Sequence, residues 1–261
     1  MATVITIANQ KGGVGKTTTC RELAYIWGKK GKKILAIDTD PQRGLTLRSP
    51  IEGDKRKTIK AVLEGYVDAE DAIIKTKYYD ILPGDKRLKN SSSLFSEDED
   101  KTALKEIIED LDYDYVLIDA APGDTILYDM SYIASDYIIV VADSSPEALT
   151  GIAEMKSAID RYHQEGVSKA EFLGSLMCRV KMAFGHPSNL YMDRYEELQT
   201  IIKDLIGAEP FETYIRDTDN CGTANGFQMA VNEYNQDCCA AVDYRALADE
   251  ITNRINDRKG A

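Results

Sequence analysis

The residues that could do chemistry gather in one early stretch, Asn9 to Thr19, which reads Asn-Gln-Lys-Gly-Gly-Val-Gly-Lys-Thr-Thr-Thr. Gly12, Gly13 and Gly15 let backbone N–H groups come close to anionic oxygens, and a helix starting here adds the favourable end of its dipole. Lys16 is placed to meet the β- and γ-phosphates of a nucleotide, and the Thr17 hydroxyl a Mg²⁺ ion. Val14 and Thr18 complete the cradle. The usual spacing is Gly, four residues, Gly-Lys-Ser/Thr; here Gln10 replaces the first glycine and Lys11 stands directly before Gly12. The alternative is an ordinary glycine turn with two solvated lysines. It leaves the order of strand, glycines, Lys, Thr and helix to coincidence.

The surrounding elements must hold this loop. Thr3–Ala8 is an alternating β-branched run, a buried strand leading in, and Cys20–Gly28 is apolar at helical spacing (Leu23, Ala24, Trp27). A second strand, Lys32–Asp38, ends in Asp38-Thr39-Asp40-Pro41-Gln42. Its two carboxylates alternate, so they share a face at the strand end where open parallel sheets bind ligands. Asp114–Asp119 is an apolar strand with a terminal acid, the Walker B pattern, and it delivers Asp119 toward Mg²⁺. Further strands are expected at 79–82, 137–142, 171–178 and 211–215. Helices are expected at Thr102–Leu111, Pro146–Tyr162, Asn189–Ile206 and Tyr244–Ile255. The alternation implies an α/β fold, a doubly wound and mostly parallel sheet of the P-loop NTPase kind, with the nucleotide at the C-terminal strand ends. No internal repeat or linker divides residues 1–261, so one domain is expected.

The loop with its extra Lys11 resembles the deviant Walker A motif of the ParA/MinD family of P-loop ATPases, in its ParA (Soj-like) partition branch. Asp38–Gln42 is similar to that family's Asp-x-Asp-Pro-Gln motif. The resemblance implies ATP and Mg²⁺ as ligands and a homodimer with ATP sandwiched between protomers. Lys11 would reach the partner's phosphates, Asp40 would position or activate the attacking water, and Asp38 would support the hydrated Mg²⁺. The loop after the last strand flanks the base in the family, which makes Ile215, Arg216 and Asp217 nucleotide candidates; ordinary loop chemistry is the alternative. Ala120-Ala121-Pro122-Gly123 stands where the family has its Asp-x-Pro-Pro switch, and Cys178 stands near the place of an adenine-reading Asn. The implied function is partition of a plasmid or chromosome, with slow hydrolysis stimulated by a ParB-class adaptor and nonspecific DNA held by the ATP dimer.

Composition constrains this reading. Lys and Arg number 32 against 44 Asp and Glu, a net charge of −12. Such a surface repels nucleic acid on average, so a DNA-binding patch has to be local. Its candidates are Arg179 and Lys181, then Arg216 and Arg245, with the basic run at 55–57 as an alternative to a solvated loop. No run approaches the ~20 apolar residues of a membrane span. Met1 leads directly into the first strand, which predicts a cytoplasmic protein, nucleoid-associated if it holds DNA. In the last helix Asp249, Glu250 and Asp257 offset Arg254, Arg258 and Lys259. That argues against stable membrane insertion and for docking onto the core. Five cysteines show no zinc or redox spacing, and none lies between Asp119 and Cys178, where a dimer-bridging iron–sulfur reductase needs them. Two other readings remain open: an ATP-switched positioning protein for a protein cargo, and a MinD-like membrane-associated site-placement ATPase.

Overall fold

The computed structural model describes residues 2–51, 56–95, 98–123, 126–149, 151–183, 186–187 and 189–260. Six strands, β1 (Thr3–Ala8), β2 (Ile34–Asp38), β3 (Asp80–Leu82), β4 (Tyr115–Asp119), β5 (Tyr137–Ala142) and β6 (Glu171–Met177), form one sheet in the order β3-β2-β4-β1-β5-β6. All its pairings are parallel. Buried on both faces, β1 and β5 are continuous apolar runs apart from the threonines of β1, as a covered parallel sheet demands. The chain moves from β1 outward to β2 and β3, returns to β4, then crosses to β5 and β6 beyond β1. The crevice at the C-terminal end of β1 is therefore the topological switch point of the sheet, the usual ligand position in such folds.

Register decides which side chains meet there. Asp119 of β4 lies level with both Ile7 of β1 and Asp38 of β2, so two acids from different strands arrive side by side. The helix Lys16–Lys29 follows β1 and buries Leu23, Ala24, Tyr25, Ile26 and Trp27 between the sheet and the helices packed on its other side. The C-terminal helix Cys239–Gly260 joins the same core through Tyr244, Leu247, Ala248, Ile251 and Ile255. Its basic residues turn inward as well. Arg254 donates to the carbonyls of Leu173, Glu209 and Pro210, Arg258 to Glu171 and the Phe172 carbonyl, and Lys259 to the Thr3 hydroxyl. Among the described residues no helix is long and apolar enough to cross a membrane.

Two expected elements differ. The seventh strand at 211–215 does not form. Phe211 and Ile215 donate to the Ser175 and Met177 carbonyls beside β6, but the Glu212 and Thr213 N–H groups are taken by the Glu250 carboxylate at 2.9 and 3.0 Å. With those donors diverted the ladder lapses, leaving an isolated bridge between Val180 and Arg216. The long helix expected at Pro146–Tyr162 is also broken. A single turn of 3₁₀ helix covers Pro146–Leu149, and the α-helix starts at Ile152 after Gly151, whose φ of 80° is left-handed.

Candidate active site

The phosphate loop is anchored before it begins. Asn9, fully buried at the end of β1, donates from Nδ2 to the carbonyls of Val141 (2.8 Å) and Ala148 (2.9 Å), and its Oδ1 accepts the Lys11 N–H at 2.8 Å. Gly13 and Gly15 then adopt φ of 79° and 117°, a turn that a side chain would strain. A Cβ on Gly15 would also press to 3.3 Å on the Cys178 side chain. A small residue at 178 thus seats the loop. Val14 points into the core, so only its backbone is available to a ligand, while Gly12 and Gly13 are exposed. The N–H groups of the first helical turn have no intrahelical acceptors. They start at Lys16, since the Thr19 N–H already donates to the Gly15 carbonyl.

Lys16 is 6 % exposed, and its ammonium donates to the Lys11 carbonyl at 2.9 Å. Burial lowers its pKa, while the nearby Asp119 and Asp40 charges act to hold the proton. The Thr17 hydroxyl donates to Asp119 Oδ2 at 2.7 Å. Asp119 Oδ1 is buried and finds no hydrogen-bond partner among the described residues. An orphaned carboxylate oxygen is costly unless a ligand meets it, and beside a threonine hydroxyl it suits a hydrated Mg²⁺. Burial first, then the neighbouring Asp38, pushes the Asp119 carboxyl up to about 8, against the Thr17 hydrogen bond and Lys16.

Asp38 is held from a direction that local sequence does not reveal. Its Oδ2 accepts both the N–H (2.7 Å) and the hydroxyl (2.6 Å) of Thr46, and its Oδ1 the Asp40 N–H at 3.1 Å. Gly84 in turn donates its N–H to the Thr46 hydroxyl at 2.8 Å. A Cβ on Gly84 would lie 2.9 Å from the Asp38 carboxyl carbon, so the Pro83-Gly84 turn has to carry glycine there. Burial raises Asp38 to about 6 despite the Thr46 hydrogen bonds. Asp40 is half-buried and accepts the Gln42 N–H at 2.8 Å, which turns the chain back over the crevice. The structure therefore brings Lys16, Thr17, Asp38, Asp40 and Asp119 together, and adds Asn9, Thr46 and Gly84.

Lys11 takes a distinct position. Its ammonium lies 3.0 Å from both Asp143 oxygens and also contacts the Ser145 hydroxyl. Burial tends to raise the Asp143 carboxyl, but bonds from Ser145 and Lys11 outweigh it and hold the pKa below the usual value. Of the base candidates, Ile215 is a core residue, 3 % exposed. The Arg216 guanidinium is clamped on Asp243, with Nη2–Oδ1 at 2.6 Å and Nε–Oδ2 at 2.9 Å. Asp217 is exposed, 3.9 Å from Arg179. The structure does not gather these three side chains onto the crevice residues. Of the DNA candidates, Arg245 donates to Asn232 and to the Gln236 carbonyl. Lys181 is exposed, and of the basic run at 55–57 the first residue lies outside the described residues.

Both raised carboxyls have to lose their protons before they can face a cation. Affinity for Mg²⁺ with nucleotide is therefore expected to rise with pH through the window from about 6 to about 8. Calorimetry at pH 7 in buffers of different ionisation enthalpy should detect proton release on binding. A flat pH profile with no release would contradict these assignments.

A parallel sheet with a glycine-rich loop at its switch point, followed by Lys-Thr and faced by a strand-end aspartate, defines a P-loop nucleotide-binding protein. The AAA domain family matches residues 2–172, and the chain belongs to that family, as a ParA-family ATPase. The chromosome partitioning protein ParA of Caulobacter vibrioides is 29% identical, over 98% of this chain and 96% of that protein. The chromosome-partitioning ATPase Soj of Thermus thermophilus is 27% identical, over 97% and 96%. Among solved structures, apo McdA of Cyanothece superposes with a TM-score of 0.84 at 20% identity, covering 98% of this chain and all of that one. The MinD cell division ATPase of Pyrococcus furiosus gives 0.73 at 22% identity, over 97% and 99%. These likenesses bear out the doubly wound sheet expected from the sequence.

Proposed function

We propose that this chain is a ParA-like partition ATPase that binds ATP with Mg²⁺, dimerises around it, and hydrolyses it slowly until a ParB-class adaptor accelerates the step. The observation that carries the reading is the second lysine of the loop. Lys11 is partly buried and does not hang free; it rests on Asp143 and Ser145, a polar mooring from which its ammonium can pass to another anion. In the ATP state it leaves that mooring for the partner's triphosphate. Lys16 and the N–H groups of the loop and first helical turn hold the phosphates in each protomer, and Thr17, Asp38 and Asp119 would hold the Mg²⁺. That ion supplies positive charge against the charge developing on the transferred phosphoryl group. Asp40 orients the water for attack, and positioning of this kind is most of what phosphoryl transfer asks of a protein. The protein is then cytoplasmic and carries a plasmid or chromosome segment.

Lys11→Ala is expected to lose the ATP-dependent dimer in light scattering and to slow turnover. Persistence of both would mean that the Asp143 contact is the whole role of this lysine. A second reading, an ATP-switched positioning protein with a protein cargo, is favoured by one observation. Arg179, Arg216 and Arg245 each already face an acid or carbonyl of this chain, which weakens them as phosphate ligands. DNA retention across a salt series with ATP, ADP and no nucleotide separates the two. Partition predicts retention only with ATP, falling steeply with salt; no retention in any state favours the protein cargo. The inward-turned cations of the C-terminal helix speak against membrane placement, and liposome co-sedimentation with ATP would overturn that view.

A further inference from the structure

A groove of about 670 Å³ opens beside the carboxylate pair, outside the phosphate cradle. Arg43, Arg56, Lys86 and Arg87 line it, on a protein that is otherwise strongly acidic. The acid in its lining, Asp85, is already occupied: Arg87 reaches both its oxygens and the Thr58 hydroxyl donates at 2.7 Å. Arg43 is different. Its Nε is buried with no hydrogen-bond partner among the described residues, and its backbone is left-handed at φ 58°. Three non-glycine residues among those described have positive φ, and two of them, Arg43 and Gln228, line this groove. Strained backbone of this kind persists where the surroundings enforce it, often at ligand sites.

Exposed apolar residues, one in the lining and one next to a lining residue in the chain, make up an apolar strip. Leu47 in the lining is 56 % exposed, and Gln228 donates to the Leu47 carbonyl at 3.1 Å. The neighbouring Phe227 is 64 % exposed and stacks on Tyr234. A small anion would leave that strip uncovered. A nucleic acid duplex needs an open basic face and not a concave, half-apolar one. We propose that the groove and strip form the docking site for an acidic peptide segment of a partner protein, its carboxylates on Arg43 and Lys86 and its apolar side chains on Leu47 and Phe227. The site is coupled to the catalytic carboxylates by position. Thr46, in the groove lining between Arg43 and Leu47, holds Asp38 with both its N–H and its hydroxyl, and Gly84, also in the lining, holds Thr46. A peptide that shifts the segment from 43 to 47 therefore shifts Asp38. Only this coupling rests on the ATPase reading; the docking itself does not.

The test is selection of random display peptides on the full-length chain, followed by fluorescence anisotropy of labelled copies of those recovered. Recovered peptides should be acidic with aliphatic or aromatic residues and bind more weakly as salt rises. The double variant Arg43→Gly, Lys86→Gln should weaken them about tenfold or more, and Leu47→Ala should weaken them as well. Arg43→Gly should not lower the melting temperature, since glycine takes the left-handed geometry freely. Recovery of neutral or basic peptides, undiminished binding to the double variant, or displacement of the peptides by a short DNA duplex would each overturn the proposal. Self-association lost in the double variant would overturn it too, by assigning the groove to a second copy. ATP binding measured on the same samples separates failure here from failure of the ATPase reading.

Discussion

Lys16→Ala is expected to remove measurable ATP binding while leaving the fold in place. The ammonium is 6 % exposed, is committed to a single neutral acceptor (the Lys11 carbonyl), and lies near Asp119 and Asp40. Without a ligand it is a partly desolvated charge with too few partners; with a triphosphate it gains charge-assisted bonds that are stronger than neutral ones. Losing it should cost about 3 kcal/mol or more of binding, roughly a hundredfold or more in affinity. Titration of a fluorescent ATP analogue into wild type and variant, with circular dichroism as a folding control, reads this directly. Unchanged affinity in a folded variant would refute the P-loop assignment.

Asp40→Ala, by contrast, should keep ATP and lose turnover. Its carboxylate makes one backbone contact, to the Gln42 N–H, and its own N–H donates to Asp38. That backbone bond to Asp38 survives the substitution, so the metal-side carboxylate stays where it is. What goes is the group that orients water, and such groups contribute about 10²–10⁴-fold. The expected phenotype is a persistent ATP dimer with turnover at least ~100-fold slower. Asp40→Asn, which keeps an acceptor for Gln42, should fail equally if charge matters and turn the chain correctly while doing so. Wild-type turnover in the alanine variant would remove Asp40 from the reaction, and wild-type turnover in the asparagine variant alone would reduce its role to an uncharged acceptor.

Much of the site was legible because its chemistry lies at strand ends. A parallel strand covered on both faces is an uninterrupted apolar run, so the acids closing β2 and β4 stand out, and the glycines before Lys16 mark the turn from β1 into its helix. What stayed hidden is what tertiary contact supplies. Thr46 and Gly84 lie eight and 46 residues beyond Asp38, and no periodicity links them to it. Asp143, 132 residues after Lys11, has no motif of its own. Asn9 carried a weak signal, an amide directly after a buried strand, which usually needs partners for all its polar atoms. The failed strand at 211–215 has the same origin. Its residues suit a strand, but Glu250 on a distant helix takes two of its donors. The loop at 215–217 likewise says nothing in sequence of Asp243, which holds the Arg216 guanidinium.

In the proposed sandwich two protomers share ATP, each giving its Lys11 to the other. The decisive experiment is the structure of the chain with a nonhydrolysable ATP analogue and Mg²⁺. It should contain a dimer in which Lys11 has left Asp143 and Ser145 for the partner's phosphates. A lone protomer with nucleotide bound, and Lys11 still on Asp143, would contradict it.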